Sequence, residues 1–286
     1  MSKKVIISCD STADLPKELI ERYSITVNPM PLTMGDKQYH DGIDVFPEDL
    51  FKFTRETGEL AKTSAPNTAA YGDYFEALTA DGSEVVHFCI SASMSGSYNF
   101  ARIAAEDADG VYVIDSANLS TGIGLLVLKA CDYAAEGMSG AEIAEKIEQL
   151  KPCVDASFVV DTLTFLHKGG RCTAVEMFGA NLLKLKPCIE VTNGAMDVGK
   201  KYRGKLHDIL KTYADERLAF AADAHTDRVF VTSTCEDDAI PEAIAEQVRA
   251  TGIFDEIIVN KAGCTVSAHC GPDTLGVLFI RNSSKV

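Results

Sequence analysis

The stretch Glu84–Ser116, EVVHFCISASMSGSYNFARIAAEDADGVYVIDS, decides the reading of the fold. Its first seven residues, Glu84 to Ile90, are rich in β-branched and aromatic side chains and read as a buried strand. Tyr98 to Asp107 follow a helical pattern, and Val111 to Ile114 return to a short apolar strand run. Strand, helix and strand in succession make a βαβ unit and imply a parallel sheet.

The same alternation extends outward in both directions. Val5-Ile6-Ile7 reads as a strand, Pro16 to Tyr23 as a helix and Leu119 to Glu136 as a long helix. Ser139-Gly140-Ala141-Glu142 has the S-x-x-E form of a capping box opening another. The pattern changes near Lys151-Pro152-Cys153, where we place a domain boundary: an N-terminal Rossmann-like α/β domain over 1–153 and an α+β domain over 154–286. In the second half Ser157 to Val160 reads as a strand and His167-Lys168-Gly169-Gly170-Arg171 as a turn. Pro187 to Lys201 reads as a hairpin about Asn193-Gly194, whose residues tolerate the positive φ of a tight turn. Strands over Arg228–Thr234 and Glu256–Asn260 flank a helix over Pro241–Ala250, and Gly276–Arg281 is the last strand.

Composition excludes several function classes. The chain has 286 residues, is 46% hydrophobic and carries a formal net charge of −15. That balance argues against a nucleic-acid partner, since such affinity comes from Lys and Arg on phosphates. No apolar run approaches the roughly 20 residues of a membrane span, and the run after Met1-Ser2-Lys3-Lys4 stops at Asp10, too early for a signal-peptide core. Nine cysteines without a CxxC pair fit buried thiols in a reducing cytoplasm. Cys264, His269 and Cys270 are too few to compose a structural zinc site by themselves.

Hydroxyls and glycine crowd the strand-to-helix turn Ser91–Ser97. Ser95 lacks the flanking glycines of the G-x-S-x-G nucleophile elbow, because Ser93 and Ser97 stand there. The turn equally suits a helix cap or an anion seat, in which Ser95 Oγ and the Gly96 amide close on one negative group. Gly194–Lys201 nearly spells a P-loop, but Lys201 replaces the hydroxyl residue and the segment reads as a hairpin. Gly122-Ile123-Gly124 lacks the third glycine of a dinucleotide loop. Acid-hydroxyl pairs end three apolar runs: Asp10-Ser11, Asp115-Ser116 and Asp161-Thr162. Ligand crevices of open α/β sheets lie beyond such strand ends, although Asp and Ser are also ordinary turn residues there.

Taken in order, Asp10–Pro16, Thr63-Ser64-Ala65-Pro66, Ile90–Tyr98, Asp115-Ser116, Leu166–Arg171, Lys186-Pro187 and His269–Pro272 resemble the DegV family of bacterial fatty-acid-binding proteins. The family includes the fatty-acid-carrying subunit of fatty-acid kinase. The resemblance implies two α/β domains with a long-chain fatty acid between them and no other cofactor. It implies that Thr63, Ser95 and Gly96 hold the carboxylate, with His269 and Arg171 close by, and that Arg203 docks a separate kinase catalytic subunit. Asn67, Ser97, Cys270 and Asp273 depart from the usual family pattern, and Asp273 adds a negative charge expected near His269. A sixteen-carbon tail, at about 0.8 kcal/mol per CH2, represents roughly 12 kcal/mol of gross transfer energy. The competing expectation is an acyl-ester or thioester hydrolase using Ser95 with His269 as base.

Overall fold

The computed structural model describes residues 3–172 and 185–284. Strands β1 (Val5–Asp10) and β2 (Thr26–Asn28) are followed by three short ones, β3 (Pro31–Met34), β4 (Lys37–His40) and β5 (Lys62–Thr63), then by β6 (Glu84–Cys89) and β7 (Val111–Asp115). The longer runs form a parallel sheet in the order β2-β1-β6-β7. The short ones make a separate antiparallel sheet, β4-β3-β5. Helices α1 (Lys17–Tyr23), α2 (Pro47–Thr57), α3 (Thr68–Thr79), α4 (Ser97–Ala105), α5 (Thr121–Ala135) and α6 (Gly140–Leu150) complete this half. The expected capping box opens α6: Ser139 N donates to Glu142 at 2.9 Å and Glu142 N returns to Ser139 Oγ at 3.4 Å.

After a short 3-10 turn over Lys151–Cys153 come β8 (Val154–Asp155), β9 (Ser157–Val159), β10 (Lys186–Thr192), β11 (Ala195–Tyr202), β12 (Ala224–Ser233), β13 (Glu256–Lys261) and β14 (Leu275–Arg281). They form a mixed sheet, β11-β10-β9-β14-β12-β13, with β8 also on β14; β12 and β13 run parallel and the other pairs antiparallel. The predicted hairpin is present, with Asn193 at φ +50° and Gly194 at φ +79° between β10 and β11. The P-loop-like residues therefore lie in an antiparallel strand. Helices here are α7 (Thr164–Gly169), α8 (Leu206–Leu218), α9 (Ala239–Arg249) and α10 (Cys264–Cys270). The expected turn at His167–Arg171 is instead the last turn of α7, closed by Gly170 at φ +63°. Asp161 also departs from expectation: β9 stops at Val159, and Asp161 pairs with Lys186 rather than ending a strand.

Helix α5 joins the two large sheets, touching β1 and β6 on one side and β8, β12 and β14 on the other. It is apolar nearly all round, which is the pattern of a helix buried on every face. Its glycines serve this packing, since a Cβ on Gly124 would come within 2.9 Å of Leu15 Cδ2 and 3.0 Å of the Ala13 carbonyl. The largest core cluster runs continuously from Ile7, Phe88 and Leu126 to Phe158, Phe230 and Leu278, across both sheets.

Candidate functional site

The turn after β6 is tied down from three sides. Met94 N and Ser95 N donate to the Ser91 carbonyl at 2.9 and 3.1 Å. Asp115, at the end of β7, accepts from Ala92 N at 3.1 Å and Ala117 N at 2.9 Å. From the other sheet, the Gly194 carbonyl at the hairpin tip accepts the hydroxyls of Ser91, at 2.7 Å, and Ser93. A side chain at Gly194 would stand 2.7 Å from Ser91 Oγ, so this approach needs glycine. Ser95 Oγ lies 2.9 Å from Ser97 Oγ and accepts the Ser97 amide at 3.2 Å.

Helix α10 carries His269, and its sequence, CTVSAHC, has little intrinsic helical preference. Its free amides are satisfied from far away in the chain. Asp41 accepts from Cys264 N at 2.8 Å and Thr265 N at 2.9 Å, and Asp14 from Gly263 N at 2.9 Å. One turn later His269 Nε2 meets Thr63 Oγ1 at 2.8 Å. Its Nδ1 faces Gly169, where a Cβ would sit 2.4 Å away; the first glycine of the Gly169-Gly170-Arg171 run makes room for the imidazole. Burial, and then the Arg171 guanidinium, push the His269 pKa down to about 4, so the ring is neutral at pH 7. Arg171 itself is exposed and donates to the Gly169 carbonyl at 2.7 Å. Of the two neutral tautomers, the one protonated at Nε2 donates to Thr63 and leaves the threonine hydroxyl proton free for an anionic ligand, whereas the other accepts that proton.

These groups surround one cavity, partly open to solvent. Thr63, Ser95, Arg171 and His269 all line it, together with apolar side chains that include Met30, Met94, Leu119, Leu166, Met196 and Val266. Gly96 is not in the lining; it precedes α4, and a Cβ there would press on the Phe100 ring at 3.1 Å. Arg203 lies apart, exposed just after β11. A second apolar cavity adjoins the first, sharing Leu119, Val266 and Cys270 and reaching Phe158, Val191 and Leu278.

Two lining hydroxyls were not anticipated. Among the described residues Thr12 Oγ1 and Thr265 Oγ1 are buried without a hydrogen-bond partner, as is His269 Nδ1. Unpaired buried polar atoms are costly unless a ligand or water meets them. The expected influence of Asp273 on His269 is corrected: the histidine responds to burial and Arg171, whereas Asp273 feels burial, Asp161 and Glu236. Asn67 spends its side chain capping α3, accepting from Ala70 N at 2.9 Å. Among the described residues Ser95 and His269 share no hydrogen bond, because each is engaged elsewhere. The nucleophile-base contact of a hydrolase is therefore not formed.

No helix among the described residues is long and apolar enough to cross a membrane. A family model described as an uncharacterised protein of the DegV family matches residues 4–282. A DegV domain-containing protein of Caldanaerobacter subterraneus subsp. tengcongensis is 31% identical over 279 residues, covering 97% of this chain and 99% of the relative. A solved DegV family protein from Thermus thermophilus, described by its fatty acid binding, superposes with a TM-score of 0.90 at 28% identity, covering 97% of this chain and 99% of the other. A stearic acid-binding protein from Eubacterium ventriosum gives 0.83 at 26% identity, with 99% of each chain covered.

Proposed function

The chain belongs to the DegV family, and from that premise we propose that it is a non-catalytic carrier of a long-chain fatty acid. In this reading the domains divide at 153/154 and the acid lies between them. Its carboxylate meets Thr63, Ser95, His269 and Arg171, with Gly96, outside the lining, shaping the turn beside Ser95, and its tail follows the apolar walls past Leu119 and Val266 into the adjoining cavity. The carrier presents the carboxylate to a separate fatty-acid kinase for acyl-phosphate formation, with the exposed Arg203 at the docking surface.

The observation that carries this reading is convergence. Thr63, Ser95, Arg171 and His269 come from four separate segments and line one mostly apolar cavity. Binding sites of this class combine apolar walls with a few placed polar groups. Hydrogen bonds to the carboxylate contribute on the order of 1.5–3 kcal/mol each before desolvation, so the tail supplies affinity and the head group sets register.

Native mass spectrometry of the purified protein, followed by organic extraction, tests the proposal. One long-chain acid per chain supports it; a protein that arrives empty and takes up no added palmitate or oleate refutes it. Ser95→Ala should fold normally and bind the acid about tenfold or more weakly, measured by titration calorimetry. Unchanged affinity would remove Ser95 from the head-group site.

A further inference from the structure

A second polar cluster lies inside the parallel sheet, on the face covered by α3. The register pairs Ser8 with His87 and Cys9 with Phe88, so Asp10 and Cys89 stand one step further along the same two strands. Side chains two residues apart in a strand share a face, which gathers Ser8, Asp10, His87 and Cys89 on one side. Asp10, His87 and Cys89 are fully buried, and one ligand atom from each lies within 4.8 Å of the others.

The imidazole of His87 is fixed but unfinished. Its ring packs among Tyr71, Tyr74 and Phe75, with centroids 5.7, 5.8 and 5.3 Å away. Nδ1 is 2.8 Å from Ser8 Oγ, while Nε2 is buried without a hydrogen-bond partner among the described residues. Nε2 stands 3.4 Å from Asp10 Oδ1, beyond the roughly 2.7–3.2 Å of a good N–H···O bond. Two donors on a tetrahedral ion with bonds of about 2.0–2.3 Å are separated by roughly 3.3–3.8 Å. The gap suits shared coordination better than a direct bond.

The surroundings support the same assignment. Tyr71 donates its phenol to Asp10, 2.9 Å from either oxygen, and Asn28 Nδ2 donates to Oδ1 at 3.2 Å, contacts that fix the orientation of the carboxylate. Ser8 occupies His87 Nδ1, which leaves Nε2 as the ligating nitrogen. Among the described residues no lysine or arginine pairs with Asp10. We propose that Asp10 Oδ1, His87 Nε2 and Cys89 Sγ bind one divalent cation of borderline softness, of which Zn²⁺ is the type, as a structural clamp between β1 and β6. One sulfur, one imidazole nitrogen and one carboxylate oxygen form a zinc-type donor set. Binding releases the Cys89 thiol proton to solvent, and one dication with one carboxylate and one thiolate is neutral overall. The fourth donor would be the second oxygen of Asp10 or the phenol of Tyr71, each already beside the cluster. Because the ligands are buried, the cation enters during folding.

The test is refolding of the full chain from guanidinium with and without Zn²⁺, followed by desalting and elemental analysis. About one tightly held zinc per chain is expected in the wild type and close to none in Cys89→Ala, with Cys264→Ala unchanged. Refolding with Co²⁺ should give a near-ultraviolet thiolate-to-metal band in the wild type, so the proposal does not depend on the variant folding. A wild type that retains no metal, or equal zinc in wild type and a folded Cys89→Ala, overturns it.

Discussion

Val266→Phe should abolish tight binding of a sixteen-carbon acid while leaving an eight-carbon acid bound nearly as well as before. Val266 is 7% exposed and lines both apolar cavities, so on the tail path proposed above its side chain stands between them. A ring there closes the passage and displaces the distal half of the tail. Eight methylenes at about 0.8 kcal/mol each would forfeit roughly 6 kcal/mol in full, and partial rearrangement of the tail still leaves a loss of at least about a hundredfold. The eight-carbon acid, whose tail ends before the constriction, should change by less than about threefold. Calorimetric titration of both acids measures the two effects, and near-native thermal melting would show that the core accepts the ring. Undiminished binding of the longer acid would place the tail elsewhere.

The second large effect is one of pH. His269 titrates near 6.5 when unfolded and at about 4 when folded, because burial and Arg171 disfavour its charged form. Between these values the unfolded chain binds more protons than the folded one, so acid favours unfolding. The stability associated with a neutral His269 is complete above pH 6.5 and is lost as pH falls towards 4, by about 3 kcal/mol. Denaturant melts of wild type and His269→Gln from pH 7.5 to 4 should therefore diverge, the wild type falling more steeply. Asp14, whose carboxyl burial lifts to about 8, gives the opposite slope but is present in both proteins and cancels. Parallel curves would mean that His269 is charged or exposed in the folded protein.

What local sequence could carry, it carried. The β-branched runs of β1, β6 and β7, the Asn193-Gly194 hairpin and the Ser139 capping box depend on near neighbours, and they appear within a residue or two of expectation, except that β1 runs three residues further, to Asp10. The small sheet β4-β3-β5 does not show in the pattern because its strands are short and partly polar, β5 being only Lys62-Thr63. Helix α10 is hidden for another reason: the acids that satisfy its first amides, Asp14 and Asp41, are more than two hundred residues away. The site follows the same rule. Thr63 and His269 are 206 positions apart, and only family resemblance joined them in advance. The methionines from three distant segments and the unpaired hydroxyls of Thr12 and Thr265 had no local signature at all.

The hairpin tip has a consequence for time as well as for shape. Its Gly194 carbonyl holds the hydroxyls of Ser91 and Ser93 immediately before the turn that bears Ser95. Parting the two sheets at this point breaks both bonds together and leaves that carbonyl without partners until water reaches it. For the carrier proposed above, a ligand that left by parting the sheets here would have to wait for both bonds to break, a step whose cost does not depend on the ligand.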